Sequence, residues 1–317
     1  MKDFFHLKFF DNNDLLIVVA LIFGTLTFAS LLFFIIGKVK PSANLKELKA
    51  RTKSWWVMSF VFIAATIFNT KISFIAIAFL SFIAFRELYS LLVFRQSDRR
   101  AIFWALISIP IQYYLAFIGW YGAFIIFIPV VMFLLLPLRL VLKGDTVGIV
   151  NSMSLLQWTL MLTVFGLSHM AFLLSLPEIE GFDSGGRGLL LFLVFLTEIN
   201  DVMQFTWGKL FGKHKIIPKI SPNKTWEGFI GGLISTTIIG YFLGFLTPLE
   251  TPQLLFVSFM IGFSGFVGDI VISSVKRDVG VKDTGNAIPG HGGVLDRIDS
   301  LSYTAPIFFH LIYYLVY

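Results

Sequence analysis

The chain has 317 residues, of which 56% are hydrophobic and only 14% charged, with 37 phenylalanines and a formal net charge of +6. A soluble protein of this size needs far more charge to cover its surface, so the composition excludes the ordinary globular class. Cysteine is absent, which rules out thiol nucleophiles, disulfides and cysteine-bound metals.

The apolar residues gather into runs of membrane-span length, near twenty residues each. In chain order, helices are expected over 15–36, 55–69, 72–93, 101–118, 120–138, 152–176, 189–206, 229–246, 254–273 and 301–317. The first reads as a retained span rather than a cleaved leader, because no small-residue cleavage site clearly follows it and a basic loop comes next. The second and last are short, and the seventh is interrupted by Glu198, Asn200 and Asp201. The expected fold is an all-α polytopic integral membrane protein, a bundle of about nine or ten transmembrane helices, because lipid leaves few other ways to satisfy backbone polar groups.

Basic residues sit in the short connectors, which points to anionic lipid headgroups and away from nucleic acid. The loop 37–54, GKVKPSANLKELKARTKS, has six basic residues against one acid and is expected in the cytoplasm. If the spans alternate, Arg95, Arg99, Arg100, Arg139, Lys143 and the lysines from Lys209 to Lys224 share that side. Ten crossings then place both termini outside. The polar connectors 207–228 and 274–300 also face the cytoplasm.

The carboxylates stand out against this apolar background. Asp269 lies near the end of an apolar helix, where an unpaired charge is costly. Asp296 and Asp299 follow in DRID, three apart, and Asp201 follows Glu198 at the same spacing. Hard oxygen ligands of this kind suit Mg²⁺, which usually keeps waters and substrate phosphates. Pairing of the same acids with Lys276, Arg277 and Arg297 to clamp helix ends is the structural alternative. PGHGGVLDR sets Gly290, Gly292 and Gly293 around His291, a stretch too flexible for a helix interior. Such a loop can turn N–H groups toward phosphate. His291 has three open roles: phosphate donor, acid, or a tie for the loop.

Lys276, Arg277 and Lys282 supply cations within seven residues, and Lys224 lies in SPNKTWEG with Ser221 and Thr225. That segment lacks the glycine-rich phosphate-loop pattern and reads equally well as a capped helix start, with Glu227 placed to orient Lys224. Acids, cations and glycines together fit a polyphosphate held through metal. A transporter would need polar groups near mid-membrane in several helices, whereas the first six offer mainly Arg86 and Glu87. Those two are expected to pair with each other, or else to line a lateral entrance for lipid. A purely structural membrane protein would bind no nucleotide.

The stretch SSVKR, four residues, then KDTGNAIPGHGGVLDRID resembles the signature of the phosphatidate cytidylyltransferases, or CDP-diacylglycerol synthases. SPNKTWEG and NDVMQFTWGKLFG resemble two further polar blocks of that family, so the specific likeness covers roughly residues 190–317. The resemblance implies transfer of a cytidylyl group from CTP to phosphatidate, giving CDP-diacylglycerol and pyrophosphate. It also implies dependence on Mg²⁺, with a second cation such as K⁺ as a candidate. On this likeness Asp269 and Asp296 take the metal, and Lys276, Arg277, Lys282 and His291 complete the catalytic set. Ser221, Lys224, Thr225, Asp201 and Arg297 contact the nucleotide or phosphate. Where family members follow the aspartate with Thr-Gly-Ala-Tyr, Asp201 here precedes Val202, Met203, Gln204 and Phe205. That change puts base recognition or lipid-headgroup fit in question. Residues 1–180 are expected to form a membrane scaffold and 181–317 the catalytic helices. The location implied is a bacterial inner membrane, with the site facing the cytoplasm. A homodimer is compatible with the small residues along the helices, though no one helix carries a decisive pattern.

Overall fold

The computed structural model describes residues 12–39, 43–67, 69–285, 287–288 and 292–317, and these form an all-helical bundle. The helices in chain order are α1 (Asn13–Val39), α2 (Ala43–Ile67), α3 (Thr70–Leu91), α4 (Arg99–Phe117), α5 (Tyr121–Val141) and α6 (Ile149–Leu173). They continue as α7 (Gly185–Phe211), α8 (Trp226–Phe242), α9 (Thr251–Asp278), the single turn α10 (Leu295–Ile298) and α11 (Leu301–Val316). All ten apolar runs are therefore helical.

Seven of these helices, α1, α3 to α7 and α9, are long and apolar enough to cross a membrane. This corrects the expected nine or ten. The first half of α2 carries Lys46, Glu47, Lys49, Arg51 and Lys53 in its sequence, which dilutes its hydropathy. The 17 residues of α8 and 16 of α11 rise about 26 and 24 Å, short of a hydrocarbon layer about 30 Å thick. Length and composition thus do not support ten full crossings.

Loop contacts define the two ends of the bundle. At one end, Arg187 Nε donates to Thr66 O (3.2 Å), and the Tyr317 hydroxyl donates to Pro177 O (2.9 Å). At the other, Arg95 Nη1 donates to Asp145 O (3.0 Å) and Val147 O (2.6 Å), while Arg277 Nε donates to Ile220 O (3.2 Å). The connectors 92–98, 142–148 and 212–225 and the described residues of 279–294 gather at this second, basic end. The interior is built from the second half of α6, where Leu167, Met170, Ala171 and Leu173 are buried, packed against α3, α4 and α11. By contrast α1 leaves Phe28, Phe34 and Ile35 exposed, as a lipid-facing helix must.

The polar interruption expected in the seventh run does not break α7. Asn200 is buried; its Nδ2 donates to Gly262 O of α9 (3.2 Å), and its Oδ1 accepts from the Thr236 hydroxyl of α8 (3.1 Å). Thr197 donates to the Thr304 hydroxyl of α11 at 3.0 Å. Interhelical hydrogen bonds of this type stabilise a membrane bundle by about 0.6 kcal/mol on average, so α7 is fastened to three neighbours at the residues next to its acids Glu198 and Asp201.

Helices α7 and α8 approach through glycine. A Cβ placed on Gly228 would stand 2.7 Å from Gln204 O and 3.0 Å from the Gly208 Cα, both backbone atoms that cannot step aside. Gly228→Val should therefore lower stability by about 1–3 kcal/mol through overpacking, read as a lower melting temperature in detergent with no gain from added ligand.

Candidate functional site

The connector 212–225 delivers a lysine to the ends of α7 and α9. Ser221 and Pro222 begin a turn in which the Lys224 N–H donates to Ser221 O (3.3 Å), with proline fixing the backbone at the second position. An antiparallel bridge between Lys215 and Thr225 closes the connector, and the Trp226 N–H donates to His214 O (2.9 Å). Thr225 is the N-cap of α8: its hydroxyl accepts from the Gly228 N–H at 3.1 Å. The capped-helix reading of SPNKTWEG thus describes Thr225.

Held this way, the Lys224 ammonium meets Asp269 Oδ2 at 2.5 Å and lies 4.7 Å from the centre of the Phe266 ring. The other oxygen of Asp269 accepts from the Ser273 hydroxyl (3.0 Å). The pair lines a cavity of about 190 Å³ with Asp201, Gln204, Ser221, Asn223, Thr225 and Phe229. Asp201 Oδ2 accepts from the Ser300 hydroxyl (3.2 Å), whereas its Oδ1 is buried with no partner among the described residues. Asp299 is buried near both. Its carboxyl is pushed well above the usual range, first by burial and then by the negative charges of Asp269 and Asp201. Arg297 and Lys276 moderate that repulsion.

Asp296 sits apart from that cavity lining and is saturated. Its Oδ1 accepts from the Lys276 ammonium (2.8 Å). Its Oδ2 accepts from the Thr284 N–H (2.7 Å), the Thr284 hydroxyl (3.0 Å) and the Gly293 N–H (2.9 Å). Gly292 adopts φ +83, and a Cβ there would come within 2.6 Å of Asp296 Oδ2, so the loop can wrap the carboxylate only with glycine at this place.

The remaining expected residues separate. Arg277 spends its guanidinium on the backbone of Ile220 and Val281, tying one polar connector to the other. Lys282 is exposed. Arg297 has a buried Nε without a partner among the described residues and faces the charges of Glu198, Asp201 and Asp299. His291 lies outside the described residues.

Two expectations are corrected. Glu227 does not orient Lys224; its carboxylate accepts from the His214 ring (2.6 Å) and from the N–H groups of Lys213 (3.0 Å) and His214 (3.2 Å). Glu87 does not pair with Arg86 among the described residues. It reaches from α3 into the loop before α10, accepting from the Val294 N–H (2.9 Å), the Leu295 N–H (2.8 Å) and the Thr284 hydroxyl (3.2 Å). The one signal for it in the sequence is an acid in the last turn of an apolar helix, and nothing local names a partner 207 residues away.

Hard carboxylates around an orphaned buried oxygen, beside lysines and a wall of hydroxyl and amide groups, define a membrane-embedded site suited to phosphate and a hard cation. Among the described residues no three acids form a ready-made metal cage. The chain belongs to the cytidylyltransferase family, which residues 49–315 match. It is 41% identical over 301 residues to the uncharacterized protein YnbB of Escherichia coli K12, spanning 94% of this chain and 98% of that one. A phosphatidate cytidylyltransferase of Staphylococcus haemolyticus is 43% identical over 126 residues, and that of Mycobacterium leprae 39% over 143. These two matches span 48% and 45% of the lengths of those enzymes.

The hydrogen bonds from the His214 ring and connector N–H groups hold the exposed Glu227 carboxyl at about 2, below its ordinary 4.5. A depressed acid contributes order that is complete above its unfolded value and lost as pH falls through its folded one. Hydrogen exchange should show constant protection of the Lys213 and His214 amides above about pH 5, lost as pH falls from 4.5 toward 2.

Proposed function

We propose that this protein transfers the cytidylyl group of CTP to phosphatidate, forming CDP-diacylglycerol and pyrophosphate for phospholipid synthesis. The observation that carries this reading is the Lys224–Asp269 pair in a cavity walled by Asp201, Ser221 and Asn223, within a chain of the cytidylyltransferase family. Basic connectors at this end favour the cytoplasmic face of a bacterial inner membrane, the side where CTP is available and anionic headgroups are met.

A phosphate oxygen of the lipid attacks the α-phosphorus of CTP, and the bond from that phosphorus to the bridging β-phosphate oxygen breaks, releasing pyrophosphate. Phosphate is already anionic at neutral pH, so no strong base is required. The obstacle is repulsion between two anions. Lys224 and Lys276 offer positive charge against it. Asp269, with Asp201 beside it in the cavity lining, would hold Mg²⁺, whose contribution is charge neutralisation on the phosphates. Asp296, expected as the second ligand, has its oxygens engaged by Lys276 and the loop; we assign it to shaping that loop. Gln204 stands among the cavity-lining residues with a buried, unpartnered Nε2, which favours testing acceptors other than phosphatidate.

Purified protein supplied with CTP, Mg²⁺ and a panel of lipid phosphates should yield a liponucleotide identifiable by mass; no product with any acceptor overturns the reading. Asp269→Asn should lower turnover by about a hundredfold or more while the protein still reaches the membrane. Lys213→Ala, whose N–H rather than its ammonium is used, should leave turnover within about twofold.

A further inference from the structure

Helix α3 belongs to the half of the chain that carries none of the cavity-lining residues, yet Glu87 near its C-terminal end reaches the segment that precedes α10. We infer that Glu87 is a positioning residue for the site, holding Thr284 and the start of α10 at Val294 and Leu295, from which the chain leads into Asp296, Asp299 and the Ser300 hydroxyl on Asp201. The inference rests on the proposed cytidylyl transfer and adds to it a residue from outside the signature.

Three features of the geometry support it. Both oxygens of Glu87 are used, one by the Val294 N–H and the other by the Leu295 N–H and the Thr284 hydroxyl. Thr284 is gripped from two sides, because its N–H is given to Asp296 Oδ2 and its hydroxyl lies within reach of Asp296 (3.0 Å) and Glu87 (3.2 Å). A hydroxyl has one hydrogen, so it serves one carboxylate at a time, while the N–H keeps Thr284 on Asp296 when the hydroxyl turns to Glu87. The loop also fits the carboxylate sterically: a Cβ on Gly293 would come within 2.5 Å of Glu87 Oε2 and 2.3 Å of the Thr284 hydroxyl.

The root of Glu87 does not move freely. Ala84, Phe85 and Leu88 on the same helix are almost wholly buried, at 0%, 1% and 1% exposure, and α3 packs on the central part of α6. Thr284, Val294 and Leu295 therefore take part of their position from the membrane bundle, beside the local contacts with Asp296. A misplacement of about 1 Å in such a constellation costs on the order of a hundredfold in rate.

The test compares variants of the full chain. Glu87→Gln keeps the size but sets an NH₂ group among three donors; Gly293→Ala pushes on the same carboxylate from the loop side. Both should lower kcat by about a hundredfold, with KM for CTP changed far less, and both should speed hydrogen exchange at the Val294 and Leu295 amides without any substrate present. Glu87→Asp, which retains both acceptor oxygens, should recover part of the loss. Arg86→Gln, an exposed neighbour on the same helix, should behave as the parent protein. Unchanged exchange and kcat in Glu87→Gln would overturn the inference. So would faster exchange with full turnover, since Glu87 would then hold the loop without serving the reaction. A parent protein that makes no liponucleotide defeats the proposed reaction instead, and the exchange measurement still decides whether Glu87 holds the loop.

Discussion

Everything at the basic end of this bundle is arranged around ionised groups that cannot stand alone in a low-dielectric setting. Asp296 illustrates the constraint. It is only 4% exposed, and it is tolerable there because an ammonium, a hydroxyl and two N–H groups supply it with donors. Meeting that demand forces the chain to wrap the carboxylate, and the wrapping fixes where α10 and α11 begin. Asp299 and Ser300 inherit their positions from that start, and Ser300 in turn reaches Asp201 on α7. One satisfied acid thus sets the register of the neighbouring acids.

The same principle joins the two halves of the chain. Cavity-lining side chains come from α7, the 212–225 connector, α8 and α9, so the C-terminal helices contain the chemistry. The loop over them is nevertheless fastened by α3 through Glu87, and the connectors of the N-terminal half are locked to one another by Arg95, Asp98 and Ser152. Calling the first helices a scaffold describes their composition but omits this contact. In a bundle held partly by lipid pressure and small-residue packing, such polar fasteners give definite geometry where hydrophobic contact is unselective.

The helices are legible in the sequence because an apolar run of the right length has few alternatives in lipid. Their number as spans is not, since α8 and α11 differ from full spans by only a few residues, and α2 mixes a charged turn with an apolar one. Asp269 and Lys224 stand out as charges against an apolar background, and the structure pairs them. The hydrogen-bond partners of Asp296, Glu87 and Glu227 are less accessible for one shared reason. Each is defined by backbone N–H groups, which every residue but proline carries and which leave no trace in residue identity. Asn200 shows the reverse error: a polar residue inside a helix looks like an interruption until its partners on two other helices are known.

The contact between Lys224 and Asp269 neutralises one charge of each sign in the cavity lining. A cation settling on Asp269 alone would strand an ammonium, and an anion drawn to Lys224 alone would strand a carboxylate. Either half-step leaves a bare charge where solvent is scarce, so the favourable exchange is the one in which both partners are replaced together. Replacing this pair therefore disfavours a lone ion of either sign and favours a cation and an anion that arrive together.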